Sequence, residues 1–357
     1  MKQVLIMAGG TGGHVFPALA VAQALQAKGV NVSWLGTKNG IEAEVIPKAG
    51  IEIDWITISG LRGKGLLGWL QAPYKLLLAG FQAQRIIKKR NPDLVIGMGG
   101  FVTGPGGFVA YLNKKPLLIH EQNAIPGLTN RLLGRIATKV LEAFPGSFDK
   151  KYQAIALGNP VREAFQNMDA PEKRMTNRTE GLRLLVVGGS LGAMALNIVM
   201  PKTLKKISGL NLDVWHQTGK RHFADTKKSY DKNNLQARVE PFIDDMVEAY
   251  AWADIVLCRS GALTVSELAA TGVGSILVPF PHAVDDHQTK NADFLVSAGA
   301  AELLPQNELT ADSLSEILTK LIDDRPRILN MAKAAFSKRQ TDSVEQVVTY
   351  CGEIANV

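Results

Sequence analysis

The cluster Gly9-Gly10-Thr11-Gly12-Gly13-His14 follows the apolar run Val4–Met7, and its residue types suit phosphate chemistry. Glycines let backbone N–H groups approach an anion closely, and a helix starting behind them adds a favourable dipole. Pro17 suits the first turn of that helix, which continues from Leu19 to Ala27 and stops at Gly29. The loop does not fit the nicotinamide fingerprint G-x-G-x-x-G. Counted from Gly10, the last glycine position is Val15, and the next strand, "VNVSWLG", holds no acidic residue for a ribose. No G-x-x-x-x-G-K-[ST] occurs either. Taken alone, such a loop is either a phosphate cradle or a tight packing turn. His14 either closes local hydrogen bonds at the helix start or stands beside the anion as a donor or proton acceptor.

A second glycine-rich stretch, "GMGGFVTGPGG" (97–107), follows the strand-like "DLVI", and two such turns together could wrap a diphosphate. In the second half, "ADIVLCRSGALTVSELAATG" places a strand at Ile255–Cys258 before a helix start. There, Thr264 and Glu267 have capping-box spacing. Either they only close the helix, or the helix faces a nucleotide diphosphate and Glu267 accepts from two ribose hydroxyls. The stretch "PHAVDDHQ" offers His282, Asp285, Asp286, His287 and Gln288. His and Asp together could ligate a metal. The chain lacks any D-x-D pair, so sugar hydroxyls are the favoured partners and no metal is expected.

The elements that must hold these residues repeat one grammar. Strand, glycine turn, helix and strand run from Val4 to Gly36. The same order returns in "RLLVVGGSLGA", with a strand at Leu184–Val187 and a helix from about Ala193 to Ile207. This alternation predicts doubly wound parallel α/β sheets, and two starts predict two domains. A length of 357 residues agrees. The boundary is expected near "GNPVR", Gly158–Arg162. The polar "MDAPEKRMTNRTEG" after it reads as a surface loop, followed at the C-terminus by helical segments at Ala311–Ile322 and Arg327 to about Ala355.

Composition is that of a globular protein, with 46% hydrophobic and 20% charged residues. Two cysteines, Cys258 and Cys351, build no disulfide framework. The Val4–Ala8 run is too short for a signal-peptide core, and no apolar run would span a bilayer, so a cytoplasmic location is expected. Net charge is +7. Between Trp55 and Pro92 there is no acidic residue, while Arg62, Lys64, Lys75, Arg85, Lys88, Lys89 and Arg90 are present. They mix with Leu66, Leu67, Trp69, Leu70, Tyr74, Leu77, Leu78 and Phe81. That mixture is either a core-facing stripe with a solvated charged face or a patch for an anionic membrane surface.

Taken in order, "MAGGTGGHVFPALA", "GMGGFVTGPGG", "HEQNAIPGLTNR", "GNPVR", "GGSLGA", "FIDDM", "RSGALTVSE" and "DDHQTKNA" resemble the MurG family over nearly the whole chain. These are peptidoglycan N-acetylglucosaminyltransferases that convert lipid I to lipid II. The resemblance implies a GT-B fold: two Rossmann-like domains with an interdomain cleft. The first spans 1–160, with a final helix (about 340–357) packing back on it, and the second, UDP-GlcNAc-binding domain spans 161–339. It implies inverting transfer of GlcNAc from UDP-GlcNAc to the C4 hydroxyl of the muramoyl sugar on undecaprenyl diphosphate, with no cofactor and no metal.

The resemblance also assigns residues. Arg162 and the backbone of Ile243 hold the uracil, and Ser190 the diphosphate. Ala262, Leu263, Thr264, Val265 and Ser266 supply the helix-start contacts, Glu267 the ribose contact and Gln288 the GlcNAc hydroxyls. Thr11, Gly12, Gly13 and Asn123 approach the donor sugar from the first domain. The acceptor diphosphate falls to Gly10, Gly13, Gly99, Gly100 and Gly104. His14 and Glu121 are the two candidate bases. A membrane patch of Leu70, Tyr74, Lys75, Leu77, Leu78, Phe81 and Arg85 places the protein peripherally on the cytoplasmic face of the inner membrane. Its expected partners there are lipid I, the anionic leaflet and the cell-wall and division machinery. One departure is visible: Leu191 stands where the family's third glycine loop usually has glutamine, so backbone phosphate binding is expected to survive while any amide contact at that position is lost. The rival readings are a UDP-GlcNAc 2-epimerase or glycolipid glycosyltransferase, and a basic nucleic-acid-binding or scaffold protein. Sparse aromatics in the second half disfavour nucleic acid.

Overall fold

Apolar runs flanked by glycine turns become parallel strands buried on both faces, because helices cover each side of a sheet built this way. The computed structural model describes residues 1–60, 71–178, 181–189 and 192–355. The chain divides into two units, Met1–Arg162 with Asp342–Val357, and Glu163–Thr341.

The first unit runs β1 (Gln3–Met7), α1 (Gly12–Ala27), β2 (Asn31–Gly36), α2 (Glu42–Lys48), β3 (Glu52–Trp55), α3 (Ala72–Arg90), β4 (Leu94–Gly97), α4 (Thr103–Leu112), β5 (Leu117–Glu121), α5 (Leu128–Leu133), β6 (Lys139–Glu142) and β7 (Ile155–Ala156). Its strand order is β3-β2-β1-β4-β5-β6-β7, all pairs parallel. The second unit runs α6 (Glu163–Gln166), α7 (Pro171–Met175), β8 (Leu182–Val187), α8 (Met194–Lys206), β9 (Leu212–Gln217), α9 (Phe223–Lys232), β10 (Arg238–Glu240), α10 (Met246–Trp252), β11 (Ile255–Cys258), α11 (Ala262–Thr271), β12 (Gly274–Leu277), α12 (His287–Val296), β13 (Ala301–Leu303), α13 (Ala311–Ile322) and α14 (Arg325–Ser337). Its order, β10-β9-β8-β11-β12-β13, is again parallel.

The last helix, α15 (Ser343–Ala355), belongs to the first unit. Its Val347, Val348, Cys351 and Ile354 share a core with Val15, Ala18, Val21, Ala22 and Leu25 of α1. Ser343 Oγ donates to the Leu157 carbonyl at 2.6 Å. On the other side of the sheet, Ala79, Ala83, Ile86 and Ile87 of α3 pack with Leu5, Val95, Ile119 and Val109.

Three local readings are corrected. The segment Arg327–Ala355 is two helices, since α14 ends at Ser337 and the chain enters the first unit at Asp342. The polar "MDAPEKRMTNRTEG" contains α7, whose Met175 joins the second core. Its arginines cap carbonyls instead of facing solvent: Arg174 donates to Thr271 and Gly272 at the end of α11, and Arg178 to Ala251, Ala253 and Asp254. Pro17 lies in the second turn of α1, not the first, because that helix begins at Gly12. Among the described residues no helix is long and apolar enough to cross a membrane.

Candidate functional site

In a parallel sheet, loops leaving the carboxyl ends of neighbouring strands converge on one edge. In the first unit these strands are β1, β4 and β5. Gly10 (φ +94°), Gly99 (φ +92°) and Gly100 (φ +83°) turn the first two loops through the left-handed region. Gly100 lies directly against the Gly9 backbone, where no side chain would fit. Thr11, exposed, is the N-cap of α1 without a side-chain cap bond, so it leaves the first-turn N–H groups at Gly12 and Gly13 uncapped. Gly104 sits in the first turn of α4.

Gly10 differs from this expectation. Its N–H donates to Glu42 Oε2 at 2.9 Å, and Glu42 Oε1 also accepts from Thr37 N (3.0 Å) and Oγ1 (2.8 Å). A fully buried carboxylate therefore holds the loop from behind, and Gly10 contributes turn geometry, not a phosphate donor. No pattern in the sequence announces Glu42, because its partners are mostly backbone groups.

The two candidate bases have unlike surroundings. Glu121 is buried, and its oxygens accept from Asn123 N (2.9 Å), Asn123 Nδ2 (3.1 Å), Gly127 N (3.1 Å) and Asn130 Nδ2 (2.9 Å). Its lone pairs are engaged in folding the 123–130 loop. His14 is half-buried in the first turn of α1, and its Nδ1 lies 3.0 Å from Gln122 Oε1. The ring passes close over Gly99, where a Cβ would stand 2.5 Å from Nδ1. Gln122 and His120 escape notice in the sequence, although their alternate spacing in "HEQN" puts both on one side of the chain, opposite Glu121.

In the second unit the equivalent edge follows β8, β11 and β12. Gly188, Gly189 and Gly192 form the first loop; Ser190 and Leu191 lie outside the described residues. Gly192 fits against the Thr218 carbonyl and the His222 ring. α11 begins at Ala262 with Gly261 as N-cap and no side-chain cap, so the Thr264–Glu267 capping-box reading fails. Leu263, Thr264 and Ser266 are half-buried in its first turns, and Val265 is buried. Glu267 Oε2 accepts from Tyr250 OH at 3.1 Å. Ser260, just before the helix, is fully buried, and its Oγ has no hydrogen-bond partner among the described residues.

The β12 loop is fastened by Arg259, which donates to Val278 O, Pro279 O and Gln306 Oε1. Gln288 Oε1 accepts from Phe280 N at 2.8 Å, which orients its NH₂ group. Ile243 has a buried side chain, leaving its backbone as the available surface, and Asp245 of "FIDDM" caps α10 through Val247 N and Glu248 N. Arg162 is exposed at the end of the first unit. Among the described residues no three His, Cys, Asp or Glu groups converge as a metal site.

Helix α3 settles what its apolar residues do. Its core side is Ala79, Ala83, Ile86 and Ile87, while Tyr74 (70% exposed), Leu77 (65%) and Phe81 (69%) face outward and Leu78 is half-buried. Exposed Phe108, Tyr111 and Leu112 of the adjoining α4 and Leu128 and Leu132 of α5 continue this apolar surface. Lys75, Arg85 and Lys88 make no ion pair among the described residues, whereas Lys89 and Arg90 pair with Asp54, and Arg90 also with Glu52. The Asp54 bond is the main cause holding the Arg90 guanidinium above its ordinary pKa. Leu70, Arg62 and Lys64 lie outside the described residues, as do Leu66, Leu67 and Trp69.

Residues 4–142 match the glycosyltransferase family 28 N-terminal domain, and residues 183–347 its C-terminal domain. A relative from Marinobacter nauticus, a UDP-N-acetylglucosamine–N-acetylmuramyl-(pentapeptide) pyrophosphoryl-undecaprenol N-acetylglucosamine transferase, is 54% identical over 356 residues, 99% of this chain and 98% of that one. The crystal structure of MurG from Acinetobacter baumannii is 42% identical with a TM-score of 0.84, covering 99% of this chain and 100% of that one. A protein from Listeria monocytogenes assigned as a UDP-N-acetylglucosamine 2-epimerase without that activity being established has a TM-score of 0.69 at 14% identity, covering 99% of this chain and 96% of that one; that likeness is one of fold alone. Two parallel Rossmann-like sheets with these neighbours make this a GT-B glycosyltransferase fold.

Proposed function

The chain belongs to glycosyltransferase family 28, and from that premise we propose that it transfers GlcNAc from UDP-GlcNAc to the C4 hydroxyl of undecaprenyl-diphosphate-linked MurNAc-pentapeptide, converting lipid I to lipid II. The observation that carries this is the 54% identity to a transferase of that name over 99% of the chain. That match spans both units, whereas the likeness to the assigned 2-epimerase over a similar length is at 14% identity and is one of fold alone.

The reaction is one displacement. The acceptor oxygen attacks C1 of GlcNAc as the bond to UDP breaks, so the anomeric configuration inverts. The hydroxyl proton passes to His14, whose surroundings suit a base better than those of Glu121. UDP departs with the bonding electron pair. The start of α11, whose N-cap Gly261 has no side chain, turns a positive dipole end to that leaving diphosphate. Glu267, oriented by Tyr250, takes the ribose hydroxyls, and the Gln288 NH₂ takes a GlcNAc hydroxyl. Arg162 and the Ile243 backbone bind uracil, and Ser190 binds the diphosphate. Thr11, Gly12, Gly13 and Asn123 border the donor sugar; Gly13, Gly99, Gly100 and Gly104 border the lipid diphosphate. The exposed apolar side of α3, with Lys75 and Arg85, rests on the anionic cytoplasmic leaflet where the acceptor resides.

The test is UDP release from UDP-GlcNAc in EDTA, with and without a short-chain lipid I analogue. Release only with the analogue, together with the disaccharide lipid, is expected. Equal turnover without it would overturn the transferase reading in favour of an epimerase or hydrolase.

A further inference from the structure

Behind His14 an unbroken hydrogen-bond chain runs through the first unit. His120 Nε2 lies 2.9 Å from the Gly158 carbonyl, Gln122 Nε2 lies 3.3 Å from His120 Nδ1, and His14 Nδ1 lies 3.0 Å from Gln122 Oε1. Its proton positions follow from the fixed end. A backbone carbonyl only accepts, so His120 Nε2 carries a proton. His120 is fully buried, and burial pushes its pKa down to about 4, so the ring is neutral and its Nδ1 is an acceptor. The Gln122 atom facing it must then be the NH₂ group, which turns the amide oxygen toward His14. That oxygen only accepts, so the proton of His14 is on Nδ1. In the neutral ring Nε2 is left with the lone pair.

We propose that Gln122 and His120 are positioning residues that lock His14 in the tautomer able to take the acceptor proton at Nε2. This deepens, and rests on, the reading of His14 as the base. The anchor is well held: Gln122 is buried, its backbone carbonyl accepts from Asn159 Nδ2 at 3.1 Å, and Gly158 and Asn159 lie inside the first unit, which runs on to Arg162. Gly99 lets the Nδ1 edge of the ring reach Gln122, since a side chain there would collide with it. During transfer the acceptor proton forms a bond to Nε2, and the imidazolium keeps its Nδ1–H on the Gln122 oxygen. No proton moves along the chain. When Nε2 releases its proton to solvent, the same tautomer returns. The opposite tautomer would present an N–H to the acceptor hydroxyl and block the step.

The first measurement needs no variant. In full-length protein with ¹⁵N-labelled histidine at neutral pH, the nitrogen shifts of His14, assigned by loss in His14→Ala, report which nitrogen bears the proton. Nδ1–H is expected; Nε2–H would overturn the inference. The second is a double-mutant cycle on transfer to the short-chain lipid I analogue. Gln122→Met fills the same space and offers no acceptor. It is expected to lower kcat about 10-fold or more with KM for UDP-GlcNAc within about twofold, and to cost nothing further in a His14→Ala background. If folded Gln122→Met keeps its kcat while His14→Ala does not, the positioning role is overturned and the base reading stands. If His14→Ala keeps more than half of kcat, the base reading itself falls, and with it the catalytic meaning of the chain.

Discussion

At the scale of single residues, His14 was visible in the sequence because it ends a glycine run at a helix start, but its partners were not. Gln122 matters through a side-chain bond to a residue more than a hundred positions away, His120 through its bonds to Gln122 and the Gly158 carbonyl, and Glu42 through bonds mostly to backbone N–H groups. Neither the His14–Gln122 bond nor those of Glu42 leave a spacing in the chain. The structure also separates two residues that sequence treats alike: among the described residues Glu121 is engaged with four N–H donors, and the His14 ring with the Gln122 amide oxygen. His14→Ala should therefore lower kcat by roughly 10²–10⁴-fold, the range of a positioned base, with UDP-GlcNAc affinity little changed by calorimetry. A variant with over half its kcat would refute the role. Gly99→Ala tests the same geometry from the other side. At φ +92° a side chain is strained, and its Cβ would meet the His14 ring 2.5 Å from Nδ1. A loss of kcat close to that of His14→Ala is expected, with additional destabilisation of about 1 kcal/mol or more from the backbone alone. Wild-type kcat and melting temperature would show that ring and loop are free to move apart.

At the scale of elements, sequence predicted strand, turn and helix where glycine and apolar period agreed, and missed elements where charged residues lie in the interior. α7 was hidden because Arg174 and Arg178 look like surface residues and instead cap the carbonyls of other elements. Burial holds the Arg174 guanidinium at about 10, below its ordinary pKa, which marks how far from solvent that cap lies. α3 posed the reverse difficulty, because a helix apolar on two sides gives no single stripe. Ala79, Ala83, Ile86 and Ile87 pack inward, yet Tyr74, Leu77 and Phe81 point outward, a second apolar side that adds nothing to the stability of an isolated unit. Leu77→Ser with Phe81→Ser should thus leave the melting temperature within a few degrees, since neither side chain is in the core. The same pair should weaken sedimentation with phosphatidylglycerol vesicles several-fold, and Lys75→Glu with Arg85→Glu should do so in a salt-dependent way. Unchanged vesicle binding in a folded protein would remove the membrane role from this surface.

At the scale of the whole molecule, the repeated grammar of the two halves made the pair of parallel sheets readable, and both sheets share the order 3-2-1-4-5 through their first five strands. Burial of individual polar groups within those sheets was not readable, because a histidine at a strand end looks the same whether wet or dry. Each unit in fact buries one neutral histidine among uncharged partners. His120 meets Gly158 O and Gln122, and His216 meets Tyr230 OH at 2.8 Å and Asn197 Oδ1 at 3.0 Å. Burial lowers His120 to about 4 and His216 to about 3, against 6.5 when unfolded. Between those values the unfolded chain binds a proton that the folded unit refuses, so stability is full above pH 6.5 and is lost as pH falls toward the folded values. At 1.36 kcal/mol per pH unit, each unit has given up about 3 kcal/mol by pH 4. Urea unfolding at pH 7.5, 6 and 5 should show this decline beginning near pH 6.5, well above the range in which ordinary carboxylates titrate. Replacing His216 by glutamine should flatten the slope by one proton even though it lowers stability at pH 7.5. An equal slope in that variant would mean that His216 is hydrated and charged in the folded protein, and that acid attacks the fold elsewhere.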